Sequence, residues 1–105
     1  MLGYLLVKIQ SGQEYDSVHL IKEEISDKLS FVDVKVKGDW IVACTEIDSR
    51  IPIWQLALDL EVKGEIVGYG FGPDHEAVTK DILQMLVKRG AVSNSDSDFI
   101  KAVIN

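Results

Sequence analysis

The stretch Val32-Asp33-Val34-Lys35-Val36-Lys37-Gly38-Asp39-Trp40-Ile41-Val42-Ala43-Cys44-Thr45 decides how this chain folds. Over Phe31–Lys37 valine alternates with charge, the period of a strand with two unlike faces. A second β-rich run, Trp40–Ile47, follows Gly38-Asp39. Two residues with Gly first suit the tight primed turn of a hairpin, because Gly accepts the positive φ that such a turn needs. The turn then sets the register: Lys37 opposite Trp40, Val36 opposite Ile41, Val34 opposite Ala43, Val32 opposite Thr45. One face is Val32, Val34, Val36, Ile41, Ala43 and Thr45, which we assign to a helix-covered core. The other face holds Trp40, Val42 and Cys44 among Asp33, Lys35 and Lys37. A solvated face should not carry that much apolar surface, so something must cover it.

Working outward, Gly3–Gln10 is nearly continuous in apolar residues and reads as a central strand covered on both sides. Ser11-Gly12-Gln13-Glu14 has the form of a capping box, opening a helix to about Leu29 with Val18, Ile21, Ile25 and Leu29 on one stripe. Beyond the hairpin, Asp48 or Ser49 can cap a helix with Pro52 in its first turn, running to about Val62 and stopping near Gly64. Its buried side is Ile53, Trp54, Leu56, Ala57 and Leu60. Glu65–Gly72 is the last strand, with Gly68, Gly70 and Gly72 on one face and Val67, Tyr69 and Phe71 on the other. Asp74 caps a third helix that ends at Gly90, with Glu76 in its first turn. Ser93–Asp98 is a polar loop and Asp98–Ile104 a short closing helix. The order is β-α-β-β-α-β plus a helical tail, the ferredoxin-like α+β plan with an antiparallel sheet and helices on one face. Residues 1–73 form that core and 74–105 a C-terminal helical extension packed on the same domain.

The 105 residues fit one domain, and 47% apolar with 27% charged residues is a globular balance. A net charge of −6 with dispersed basic residues argues against nucleic acid as the main partner, since phosphate binding draws on clustered Lys and Arg. The N-terminus lacks the form of a signal peptide, no apolar run is long enough to span a membrane, and Cys44 stands alone. These features point to a cytoplasmic protein without a membrane partner.

Three glycines at alternate positions of a strand each need a reason. Gly68-Tyr69-Gly70-Phe71-Gly72 either offers a flat backbone to a ligand or lets a helix or second sheet approach closely. The dinucleotide and P-loop fingerprints fail on spacing, and no Lys-Ser/Thr pair follows. His75 starts the third helix and His19 lies beside the apolar stripe of the first. No His or Cys stands at a ligand spacing, so neither a metal site nor a cofactor is expected. Cys44 reads as a buried, inert thiol. Trp54 reads as helix core and Trp40, at the hairpin tip, as the interface anchor. Candidate ligand-binding residues are therefore Gly38, Asp39, Trp40, Gly70 and Gly72, and candidate interface residues Trp40, Val42, Cys44, Gly68 and Gly70.

Leu6-Val7-Lys8-Ile9, the helix from Gly12 to Leu29, the segment Val34 to Val42, and Lys63-Gly64-Glu65-Ile66-Val67 follow one another in an order that resembles the effector-binding and assembly (RAM) domain of Lrp/AsnC-type regulators. That group belongs to the dimeric α+β barrels. The resemblance implies a stand-alone homo-oligomeric binding and assembly module that pairs through its open sheet face and takes a small molecule or protein partner. The family's Asp would fall near Ile41, so no effector site carries over; the DNA-reading domain is missing, and the tail after Asp74 is longer than the pattern needs. Two alternatives stand beside it. One is a small cofactor-free enzyme of the same barrel type, with His19, His75 or Arg50 facing an enclosed pocket. The other is an adaptor that docks through Glu76–Asn105.

Overall fold

The computed structural model describes residues 1–13 and 15–105. The central hairpin forms where valine and charge alternate: β2 is Asp33–Lys37 and β3 is Trp40–Glu46, with Lys37 opposite Trp40, Val36 opposite Ile41 and Val34 opposite Ala43. Gly38 sits in the turn at φ +58°, a conformation that costs a side-chain-bearing residue energy. Strand β2 starts two residues later than the alternation suggests. Phe31 is instead in a turn at φ +53°, 97% exposed.

The remaining elements are β1 (Leu2–Lys8), α1 (Tyr15–Lys28), α2 (Ile51–Val62), β4 (Val67–Gly72), α3 (His75–Lys88) and α4 (Ser97–Ile104). Among the described residues the protein is an α+β structure with one four-stranded antiparallel sheet, ordered β2-β3-β1-β4, and four helices. Strand β1 is therefore central, and β2 and β4 are the edges. The capping box expected at Ser11 depends on Glu14, which lies outside the described residues. Helix α2 begins at Pro in its first turn, as its sequence suggests, but Arg50 occupies the N-cap position. Ser49 instead accepts the Ile51 amide through its Oγ at 3.2 Å. At α3 the Asp74 carboxylate accepts the Ala77 amide at 2.9 Å, a side-chain N-cap.

Side chains alternate across the sheet, so the central strands β1 and β3 feed two cores. Leu5 and Val7 of β1, Ile41 and Ala43 of β3, and Val67 of β4 face α1 and α2, where they meet Ile21, Ile25, Ile53, Leu56 and Leu60. Tyr4 and Leu6, with Trp40 and Val42, face the other way and meet Val78, Ile82 and Leu86 of α3 and Ile100, Val103 and Ile104 of α4. Helices thus cover both faces, not one. The C-terminal extension supplies the cover that the surplus apolar face demanded. Each fully buried aliphatic side chain contributes about 1.5–3 kcal/mol, so the second core matters as much to the fold as the first.

The glycine row makes this second core fit. A Cβ at Gly70 would lie 2.5 Å from the Val78 carbonyl oxygen, one at Gly68 2.8 Å from Leu86 Cγ, and one at Gly72 2.9 Å from the Ala77 Cβ. Those separations are below van der Waals contact, so α3 sits where side chains would otherwise stand. Of the two readings of the glycine strand, close helix approach accounts for all three positions.

Candidate functional site

The residues singled out for ligand binding do not converge. Gly38 and Asp39 are exposed at the hairpin turn, where the Asp39 carboxylate accepts from Lys8 Nζ at 3.5 Å. Trp40 pairs with Lys8 on β1, whereas Gly70 and Gly72 flank β1 at Tyr4 and Leu2. Four or more residues of extended strand, at about 3.3 Å each, separate the two groups. Gly70 and Gly72 also lie under α3.

The proposed interface set is buried by the chain itself. Trp40 is 4% exposed, with the Phe99 ring of α4 at 6.3 Å and the Lys8 ammonium over its face at 5.1 Å. Val42 is buried in the same core, Cys44 is half-buried beside it, and Gly68 and Gly70 are closed off by α3. The second tryptophan behaves oppositely to expectation: Trp54 is 45% exposed on the outer side of α2. The apolar face of the sheet is satisfied internally, and the exposed aromatic is on a helix.

Chemistry-bearing side chains meet on the α3 side of the sheet. Asp33, Cys44, Tyr4 and Gly70 form one row across the four strands. The Tyr4 hydroxyl lies 3.0 Å from His75 Nε2, reaching the first residue of α3. Burial, with the Cys44 thiol alongside, pushes the Tyr4 phenol up to about 12. The phenol therefore keeps its proton, and which of the two groups donates follows the His75 tautomer. This pair ties the start of α3 to the central strand. A hollow of about 160 Å³ beside Cys44 is lined by Lys35, Lys37, Val42 and Ile104 among others. His19 is exposed on α1, stacked on Tyr15 and paired with Glu23 at 3.0 Å. Among the described residues, no three His, Cys, Asp or Glu side chains are grouped closely enough to hold a metal ion.

The other concentration of unusual surface runs along the β4 edge. In an antiparallel ladder, alternate residues turn both backbone groups to the same neighbour. Lys8 donates to the Ile66 carbonyl at 2.9 Å, which fixes the even-numbered residues of β4 as the ones facing β1. Val67, Tyr69 and Phe71 consequently turn their amides and carbonyls outward. The Tyr69 amide meets the Met85 sulfur at 3.4 Å. This edge lies in a trench between α2 and α3. One part of it, about 260 Å³, is lined by Arg50, Tyr69, Phe71, Asp81, Met85 and Lys88, with the Arg50 guanidinium 5.9 Å over the Phe71 ring. The adjoining part, about 230 Å³, is bounded by Trp54, Leu58, Glu61, Tyr69, Met85 and Lys88. On the α2 wall, Ile51, Trp54, Leu58 and Val62 are all exposed and recur at spacings of three and four, an apolar ridge pointing away from the core.

No protein-family model, no curated protein and no solved structure matches this chain. No helix among the described residues is long and apolar enough to cross a membrane.

Sequence reasoning missed the trench because it credited Trp54 to the core. The signal was present: α2 has apolar residues on two stripes, Ile53/Leu56/Ala57/Leu60 and Ile51/Trp54/Leu58/Val62, where a helix with a single core contact needs only one. The Tyr4–His75 contact joins residues 71 apart and has no local signal.

Proposed function

We propose that this protein is a self-associating binding and assembly module, built on the ferredoxin-like plan and working in a reducing, cytoplasmic setting where Cys44 stays a thiol. The observation that carries the reading is the second apolar stripe of α2. Ile51, Trp54, Leu58 and Val62 are exposed along one stripe of α2 beside β4, and exposed apolar surface of this kind marks interaction sites. The net charge of −6 favours protein over nucleic acid as the partner. The RAM-domain resemblance supports assembly as the role. It implied pairing through the sheet face, however, and α3 and α4 lie on that face here, so association is assigned to the α2–β4 side.

Sedimentation velocity across a wide concentration range tests this. The wild-type chain should shift from monomer towards dimer as concentration rises. Leu58→Lys, on the exposed ridge, should hold it monomeric while leaving the circular dichroism spectrum and melting temperature nearly unchanged. A wild-type chain that stays monomeric at the highest concentrations contradicts the proposal.

A further inference from the structure

We propose that the trench between α2 and α3 is a binding site for a small monocarboxylate with an apolar tail. The site stands apart from self-association, because Ile51 and Val62, the ends of the α2 ridge, line neither hollow of the trench.

Shape limits the occupant. The two hollows, about 260 Å³ and 230 Å³, share Tyr69, Met85 and Lys88. Together they reach the roughly 300–1,000 Å³ of small-molecule sites. Over the start of β4, Glu61 of α2 pairs with Arg89 of α3, and Val67 is buried. That bridge closes one end of the trench, which then suits a short molecule and not a polypeptide running through.

The two hollows are lined differently. Next to the bridge the walls are apolar, with Trp54, Ala57 and Leu58 of α2 opposite Met85 of α3. The other hollow holds Arg50 and Lys88 against a single acid, Asp81, in a chain whose net charge is −6. Among the described residues neither cation takes part in an ion pair. The Arg50 guanidinium instead lies 5.9 Å over the Phe71 ring, a contact that steadies the fork and leaves its N–H groups for an anion.

A further donor lies on the floor. The Tyr69 amide meets the Met85 thioether, a weak acceptor, and Tyr69 lines both hollows. A carboxylate oxygen is a much stronger acceptor for that N–H. Arg50, Lys88 and the Tyr69 amide thus define the position of an anionic head, and Trp54 and Leu58 that of an apolar tail. A neutral apolar molecule would leave the donors unused. A polyanion would set further negative charge against Asp81.

Octanoate and octan-1-ol share a tail and differ in charge, so they separate the two parts of the site. In amide NMR spectra of the full chain, octanoate should shift the Tyr69 amide and the Trp54 indole N–H saturably. Octan-1-ol should bind the same residues about fivefold more weakly, for want of a charged acceptor. Arg50→Gln should weaken octanoate about tenfold, the scale of a hydrogen bond to a charged group, and leave octan-1-ol unchanged. Equal binding of the two compounds, or an Arg50→Gln variant that binds octanoate as wild type does, overturns the anionic head. Shifts confined to residues outside the trench, or none at millimolar octanoate, overturn the site. Self-association is read separately, by sedimentation without either compound, so each can fail alone.

Discussion

The two edges of the sheet solve the same problem differently. Strand β2 presents Asp33, Lys35 and Lys37 on one face, and the Lys35 ammonium lies 3.3 Å from Asp33 in an exposed pair. Charge of this kind discourages a second strand from docking, because pairing would strip water from it. Strand β4 carries no charge at all; it carries three glycines on its inner side and two aromatics on the other. Its edge is flanked by helices, with Met85 standing in for a hydrogen-bond partner. The lesson is that the glycines fit what lies behind β4, namely α3, and that this packing brings α2 and α3 together over the start of β4, where Val67 is buried and Glu61 pairs with Arg89.

The largest loss is expected at the backing of β4. Gly70→Val would force α3 away from the sheet, and overpacking of a close contact costs up to about 3 kcal/mol. Urea denaturation should show that loss. At the other edge, Val36→Ala should cost less than about 1 kcal/mol, because Val36 is already 47% exposed and loses little burial. Equal costs would mean that α3 does not sit against the glycine row.

A smaller effect is expected where α3 is tied to the central strand. Tyr4→Phe removes the hydroxyl partner of His75 and should destabilise by about 1 kcal/mol, the usual net value of a hydrogen bond. Its pH dependence has a definite sign. The folded phenol holds its proton to about 12, whereas the unfolded one releases it near 10.0. Between those values the unfolded chain has fewer bound protons, so stability falls as pH rises through that window. Chemical denaturation at pH 9 and pH 11 should show a shallower decline in Tyr4→Phe than in wild type.

Glu65 has the same direction of shift: burial raises its carboxyl above the usual range, partly offset by the Gln10 amide. The folded state therefore disfavours the charged form, and Glu65→Gln should raise the melting temperature at pH 7 relative to wild type, with the advantage shrinking at acid pH.

The smallest change in stability belongs to the guarded edge. Lys35→Ala breaks an exposed ion pair and should move stability by less than about 1 kcal/mol. Combined with Lys37→Ala it should nevertheless add a new, weak association through β2, visible by sedimentation. Unchanged association in the double variant would show that charge is not what guards that edge.

Much of the fold was legible in local pattern. The alternation around Gly38 gave the hairpin and its register, and Asp74 was readable as a cap because it precedes an apolar-periodic run. The demand for a cover over Trp40 and Val42 was readable too, but its source was not. The residues that answer it, Phe99 and Ile100, arrive some sixty positions later, and nothing at Trp40 distinguishes a tail from a second molecule. The two tryptophans exchange the roles their neighbourhoods suggest for the same reason. Trp40 follows a turn and looks exposed, yet α4 closes over it. Trp54 sits in a helix apolar on both sides, where periodicity cannot say which stripe is inside. The candidate site was the least legible part, because the trench exists only once α2, β4 and α3 are side by side.

Hydrogen exchange separates the two edges of the sheet. The amides of Tyr69 and Phe71 should exchange quickly in dilute solution and slow markedly as concentration rises, while the outward amides of Val34 and Val36 on β2 exchange at one rate throughout. Tyr69 and Phe71 amides that ignore concentration, in a chain that nonetheless dimerises, would contradict the assignment of association to the α2–β4 side.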